Sequence, residues 1–162
     1  MNYGKNGNAR PRAARPPRIR VTRRFRAPHE RVFRAWLDPE IAGRWLFATA
    51  LHPMTEVEIE PRVGGSFRFA DRRDGTNVEH AGRYLEIVPH RRLVFTLALG
   101  ERPRVRTRVI AEISPLKTGC KLALTHEDVP AERAGEAEAR WVGLLYGLDE
   151  TLAAGPGRRR AG

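Results

Sequence analysis

Cysteine is scarce in this 162-residue sequence, in which Cys120 is the only one. A single thiol cannot form a disulfide within the chain, and it cannot supply a four-cysteine zinc site. The chain is therefore not a small scaffold held together by disulfides. The five histidines (His29, His52, His80, His90 and His126) are scattered, with no pair at a helical or hairpin offset. We therefore expect neither a metal nor another cofactor.

Long apolar runs are also absent. No segment approaches the roughly 20 consecutive apolar residues that a membrane-spanning helix needs, and the N-terminus has no signal-peptide core. Hydrophobic residues nevertheless make up 41% of the chain, and a chain of this length can bury a substantial core. We expect one cytoplasmic domain with no membrane span.

Acidic residues are missing from both ends of the chain. Residues 1–18 contain five basic residues and no acidic one, and Arg158, Arg159 and Arg160 lie close to the C-terminus. Without those eight, 22 of the 30 basic residues remain against 19 acidic ones, a net charge of +3 instead of +11. We predict a disordered basic arm over 1–18, a folded domain over 19–153 and a flexible basic tail over 154–162.

The basic arm has two interpretations. Clustered cations bind polyanions because they release condensed counterions, so the arm could attach the domain to nucleic acid. Its only aromatic residue is Tyr3, however, so a platform for base stacking is missing. We favour a solvated tail and do not expect nucleic acid as a partner.

The pattern of apolar residues predicts a strand, two short helices, six strands in hairpin succession and a long helix. Asp38 is predicted to cap the second helix, with Pro39 in its first turn. The predicted strands cover 19–26, 55–60, 66–70, 78–88, 92–99, 104–113 and 120–127, and the long helix covers 131–153. We therefore predict an α+β fold in which a curved antiparallel sheet of about seven strands wraps around the C-terminal helix.

Several short motifs occur in an order that is typical of one superfamily. They are residues 32–36 and 38–40, Arg44-Trp45, the turn 61–67, the strand 82–89 with 92–94, residues 122–126, and Trp141 with Leu145 and Leu148. Together they resemble the START/polyketide-cyclase-like (SRPBCC) superfamily with the helix-grip fold. The closest resemblance is to the subgroup named for the C-terminal domain of the activator of the ninety-kilodalton heat-shock chaperone's ATPase.

This resemblance implies a cavity between the sheet and the C-terminal helix that binds a hydrophobic small molecule. It leaves two alternatives open: a partner-binding module associated with the chaperone, or a cyclase- or hydrolase-type enzyme that uses a pocket histidine or tyrosine. A homodimer is a further expectation. The sequence departs from the family pattern near the expected pocket, where Arg140 replaces the usual glycine before Trp141 and Leu46 replaces a second tryptophan after Trp45.

Nine residues are candidates for the cavity wall, and no catalytic residue is assigned. His126 shares strand parity with Leu122 and Leu124, so it is predicted to face the helix. We favour a strand-end histidine satisfied by the backbone over a general base, and binding over catalysis. A buried Tyr84 would need a partner for its hydroxyl, which suits it to orienting a ligand. The nine candidates are Trp45, Phe69, His80, Tyr84, Phe95, Thr107, His126, Trp141 and Leu145.

Overall fold

The computed structural model describes residues 18–48, 54–71, 78–99 and 105–155. The predicted basic arm, apart from Arg18, lies outside the described residues. So does the predicted tail beyond Gly155.

Seven strands form one antiparallel sheet in the order β1-β7-β6-β5-β4-β3-β2. The strands are β1 (Ile19–Phe25), β2 (Glu56–Ile59), β3 (Ser66–Asp71), β4 (Val78–Val88), β5 (Arg92–Leu99), β6 (Val105–Pro115) and β7 (Cys120–Glu127). The helices are α1 (His29–Leu37), α2 (Pro39–Trp45) and α3 (Ala134–Ala153). The predicted α+β fold, with its sheet and long C-terminal helix, is confirmed.

The junction between α1 and α2 follows the chemistry that the sequence predicts. Asp38 precedes α2, and its carboxylate accepts a hydrogen bond from the backbone N–H of Glu40 at 3.0 Å. Pro39 occupies the first helical position, where the lack of an N–H costs no hydrogen bond. The long C-terminal helix differs slightly from its prediction, because a 3-10 turn over Ala131–Arg133 precedes α3.

The helix α3 lies against the inner face of the curved sheet. Its buried side chains recur at helical spacing and are Trp141, Leu144, Leu145, Leu148 and Leu152. The sheet contributes apolar side chains of one parity to the same core, such as Leu93, Phe95 and Leu97 on β5. Two polar contacts hold the C-terminal half of α3: Arg23 pairs with Asp149 at 2.8 Å, and Arg31 donates to the carbonyl of Leu152 at 2.7 Å. Helices α1 and α2 add Trp36 and Trp45 to the same core.

The strands β4 and β5 bring backbone and side chains close together at Gly82. A Cβ atom built on Gly82 would clash with the carbonyl oxygen of Thr96 and would lie 2.7 Å from Cζ of Phe67. Gly143 on α3 is the opposite case, because nothing lies within 4 Å of its Cβ position.

We predict that Gly82→Ala lowers the free energy of unfolding by about 2 kcal/mol or more, because a crowded backbone must shift to admit the methyl group. Gly143→Ala is the matched control and is expected to raise it by about 1 kcal/mol, because alanine is the better helix former where space is open. Urea unfolding of the two variants and the wild type measures both effects. A Gly82→Ala protein as stable as the wild type would contradict this description of the sheet.

Candidate functional site

A chain of buried hydrogen bonds runs from α3 into the sheet. The indole Nε1 of Trp141 donates to Nδ1 of His126 at 3.0 Å. The other ring nitrogen of His126, Nε2, lies 2.7 Å from Oγ1 of Thr107. The Thr107 hydroxyl in turn donates to the carbonyl oxygen of Leu97 at 2.6 Å. The chain therefore links α3, β7, β6 and β5.

These partners determine the tautomer of His126. An indole N–H can only donate, so Nδ1 of His126 carries a lone pair. The Thr107 hydroxyl uses its single proton on Leu97, so it accepts the proton of Nε2. His126 is therefore neutral, and both of its ring nitrogens are satisfied. The sequence favoured backbone partners for this histidine, whereas both partners are side chains.

Burial also keeps His126 neutral. His126 is 1% exposed, and desolvation lowers its pKa from 6.5 to about 4, although the charge of Asp128 acts in the opposite direction. A second ring proton would point at the Trp141 N–H and break the chain. With both nitrogens occupied, His126 has no free lone pair with which to act as a base toward a ligand.

Two small voids lie between the helices and the sheet. The first, of about 30 Å³, is lined by Phe47, His80, Leu97, Leu99, His126, Ala137, Arg140, Trp141 and Leu144. The second, of about 10 Å³, is lined by Trp36, Leu46, Phe67, Phe69, Tyr84, Leu93 and Phe95. Each has space for about one or two water molecules. Both voids have mainly apolar walls.

Six of the nine predicted residues line these voids. His80, His126 and Trp141 line the first, while Phe69, Tyr84 and Phe95 line the second. The other three are buried without lining either void. Thr107 supports His126, Leu145 packs in the core, and Trp45 donates its indole N–H to the carbonyl of Ala35 at 3.0 Å.

Sequence reasoning did not select Phe47 and Arg140 as wall residues. Phe47 follows α2 in a short turn, where no periodicity indicates which side chains are buried. Arg140 departs from the family pattern in the sequence, and this departure is the available signal. In the structure Arg140 is exposed to solvent and also lines the first void, so it lies between that void and the surface.

A pair of polar side chains stands at the first void. The guanidinium Nη2 of Arg140 lies 3.2 Å from Nε2 of His80. A guanidinium can only donate, so this nitrogen of His80 accepts. Partial burial lowers the pKa of Arg140, but an arginine remains charged at neutral pH. The first void therefore has a cation at its edge.

The second void is bordered by two aromatic residues that carry polar atoms. Trp36 is 1% exposed, and its Nε1 has no hydrogen-bond partner among the described residues. Burial raises the pKa of Tyr84, so its phenol stays protonated at neutral pH. Tyr84 can therefore donate a hydrogen bond but cannot serve as an anionic base.

A wider groove lies on the outer side, between α2 and α3. Its volume is about 750 Å³, and it is open to solvent. Its walls include Arg44, Trp45, Tyr146 and Gly147, together with Arg140, which also lines the first void. This groove is more polar than the inner voids and encloses a ligand less completely, so it fits an apolar ligand less well.

Within the described ranges, no three His, Cys, Asp or Glu side chains come together in a way that could hold a metal ion. No helix in that part of the chain is both long and apolar enough to cross a membrane. Cys120 is buried at the start of β7, where burial raises the pKa of its thiol. It acts there as a small core residue.

We predict that His126 makes stability depend on pH. Its pKa is 6.5 in the unfolded chain and about 4 in the folded one, so between these values the unfolded chain binds more protons. The contribution of neutral His126 to the free energy of unfolding is fully present above pH 6.5. It falls by about 3 kcal/mol as the pH drops to 4 and changes little at lower pH. Urea unfolding from pH 4 to 7 measures this, and His126→Gln should remove this contribution. The control variant His29→Gln changes a partly exposed histidine and should leave this contribution in place. If the free energy of unfolding depends on pH equally in the wild type and in His126→Gln, the assignment to His126 is wrong.

We also predict that the Thr107 hydroxyl stabilises the fold. Thr107→Val removes it and leaves Nε2–H of His126 without an acceptor, so the free energy of unfolding should fall by about 1–3 kcal/mol. Thr107→Ser keeps the hydroxyl and should lose less. Thermal unfolding at pH 7 compares the two, and a valine variant that is the more stable would show that the hydrogen-bond chain is not formed.

Comparisons with known proteins agree with the fold. The family model described as "Activator of Hsp90 ATPase homolog 1-like protein" matches residues 26–153. No curated protein matches the sequence significantly.

Solved structures share the fold. A protein from Chromobacterium violaceum is 29% identical, with a TM-score of 0.70 over 82% of this chain and 94% of its own. An AHSA1-like protein from Aeromonas hydrophila is 21% identical, with a TM-score of 0.74 over 85% and 93%. A protein of the dynemicin biosynthetic locus is 22% identical, with a TM-score of 0.64 over 85% of this chain and 48% of its own. The match to residues 26–153 covers most of the sequence, and the chain belongs to the activator of Hsp90 ATPase homolog 1-like family, within the SRPBCC superfamily.

Proposed function

We propose that this domain binds an apolar small molecule between α3 and the inner face of the sheet, without transforming it. The observation that carries the proposal is the first void, which has apolar walls and one cation at its edge. Ligand sites in proteins commonly combine a mainly apolar lining with a few polar groups that orient the ligand.

The walls of the first void indicate how a ligand would lie. Leu97, Leu99, Ala137 and Leu144 supply apolar surface on two sides, from β5 and α3. Arg140 supplies the charge. The apolar part of the ligand would therefore lie against the leucines. Its hydrogen-bond acceptor, such as a carboxylate, would bind the guanidinium of Arg140. Charged hydrogen bonds of this kind are stronger than neutral ones, so Arg140 would favour acids over their esters.

The volume of the void sets a condition on binding. A void of about 30 Å³ is about a tenth of the smallest usual ligand pocket, which is roughly 300 Å³. Binding therefore requires that some side chains of the wall move aside.

The hydrogen-bond chain supports binding over catalysis. A general base needs a free lone pair within reach of the substrate, and both nitrogens of His126 are already used. The phenol of Tyr84 remains protonated because it is buried. The sequence offered three groups for acid–base chemistry: His126, Tyr84 and His80. His126 and Tyr84 are thus better suited to structure and ligand orientation, and Nε2 of His80 already accepts a hydrogen bond from Arg140.

We predict that the wild-type protein binds 2-naphthoic acid or decanoic acid, and that it binds the corresponding methyl esters more weakly. Arg140→Gln should weaken binding of the acids about tenfold or more and leave the esters almost unchanged, because it removes the charge but not the apolar walls. Isothermal titration calorimetry measures each affinity.

Arg44→Gln is the matched control, because Arg140 lines both the first void and the outer groove, whereas Arg44 lines only the groove. Its affinities should equal those of the wild type. If no acid binds the wild type, or if Arg44→Gln weakens binding as much as Arg140→Gln does, the proposed function is wrong.

A further inference from the structure

Phe47 has a backbone conformation that bulky residues rarely adopt. It directly follows Leu46, the C-cap residue of α2, and its φ angle is +59°. Left-handed backbone is tolerated by glycine and often by asparagine or aspartate, but a bulky side chain is strained there. Such strain persists only where the surrounding structure holds the residue, and it is concentrated at ligand clamps and switch regions.

The ring of Phe47 is buried among other rings. Its side chain is only 2% exposed. It stacks on His80, with ring centroids 4.5 Å apart and an interplanar angle of 14°. The ring of Phe67 is also nearly parallel to it, at 6.2 Å and 16°. Phe69 meets it edge-on, at 5.2 Å and 89°. Phe47 therefore fills a flat slot with aromatic walls.

This slot lies between the two voids. Phe47 itself lines the first void, and its neighbours Phe67 and Phe69 line the second. The Phe47 ring therefore borders the first void and contacts two rings that border the second, and each void alone is too small for a ligand. If the ring left, the space of a phenyl group would enlarge the first void into an apolar cavity that reaches the rings of Phe67 and Phe69 at the second. Apolar cavities of that size in other proteins stay dry and bind benzene.

We propose that Phe47 occupies the place of the ligand's own ring, and that the ligand is a planar aromatic molecule that displaces it. This inference rests on the proposed function and specifies its ligand class. The nearly parallel rings of His80 and Phe67 favour a flat ligand over a saturated one of equal length. Release of the strained backbone offsets part of the cost of removing Phe47 from the core.

Trp36 adds a feature to the ligand. Its Nε1 is a buried donor with no partner in the described part of the chain, and Trp36 lines the second void. A hydrogen-bond acceptor on the inner end of the aromatic ligand would satisfy this donor. The proposed ligand is therefore a flat aromatic molecule that carries an oxygen or nitrogen acceptor.

The test compares 2-naphthol with decahydro-2-naphthol, its saturated analogue. Phe47→Gly removes the ring, and glycine accepts the positive φ without strain. We expect this variant to bind 2-naphthol at least tenfold more tightly than the wild type, with a much smaller gain for the saturated compound. Phe25→Ala is the control, because it removes a ring that is 3% exposed and lines neither void. It should not change the affinity.

A second measurement uses the wild-type protein and needs no variant. The nuclear Overhauser effect between the rings of Phe47 and His80 should disappear when 2-naphthol saturates the protein. If Phe47→Gly does not fold, Phe47→Leu is expected to bind 2-naphthol more tightly than the wild type, because it has a smaller, non-aromatic side chain in the slot.

Two results would overturn the inference, and they differ in what they leave standing. If 2-naphthol binds the wild type as tightly as the variant and the Phe47–His80 effect persists, the ligand does not take the place of Phe47. The proposed function then survives as long as Arg140→Gln still weakens binding of the acids. If 2-naphthol binds the variant but the wild type binds neither it nor the acids, Phe47 is a permanent core residue and both proposals fail.

Discussion

The hydrogen bond from Trp141 to His126 is the contact on which the interior of this domain depends. Apolar contacts hold α3 against the sheet without a preferred direction. This bond, in contrast, fixes the indole Nε1 of Trp141 at 3.0 Å from Nδ1 of His126. It works only while His126 is neutral, and it is extended through Thr107 to the backbone of β5. A single buried chain thereby sets how α3 lies across three strands. Removing any member leaves a buried polar group without a partner, which costs more than a satisfied bond contributes.

The same anchoring determines how the interior can open. The helix α3 is fixed near its middle by Trp141 and toward its C-terminal end by the Arg23–Asp149 pair and the Arg31 contact with Leu152. Lifting the helix would break all of these contacts. Rotating one side chain out of the wall breaks far fewer. A ligand therefore gains space most easily from a residue that no polar contact holds and whose backbone is already strained, and Phe47 meets both conditions.

Much of the fold could be predicted from the sequence, but less of the site. The two-residue period of β7 correctly predicted that His126 faces inward with Leu122 and Leu124. The capping residue Asp38 correctly predicted where α2 begins. Strand parity states which way a side chain faces but not which group it meets. The partner of His126 lies 15 residues along the chain on another element, so the prediction of backbone partners was wrong. The burial of Phe47 could not be predicted from the sequence for a different reason. A single residue in a turn has no periodicity, and its burial follows from tertiary packing alone.

The central claim is that the ligand site lies inside the domain, under α3, and not in the wider groove between α2 and α3. Intermolecular nuclear Overhauser effects from bound 2-naphthoic acid in the wild-type protein test it most directly. This account predicts effects to the methyl groups of Leu97 and Leu99, which line the inner void. Effects to Tyr146 and Ala139, which line the groove, with none to the two leucines, would contradict it.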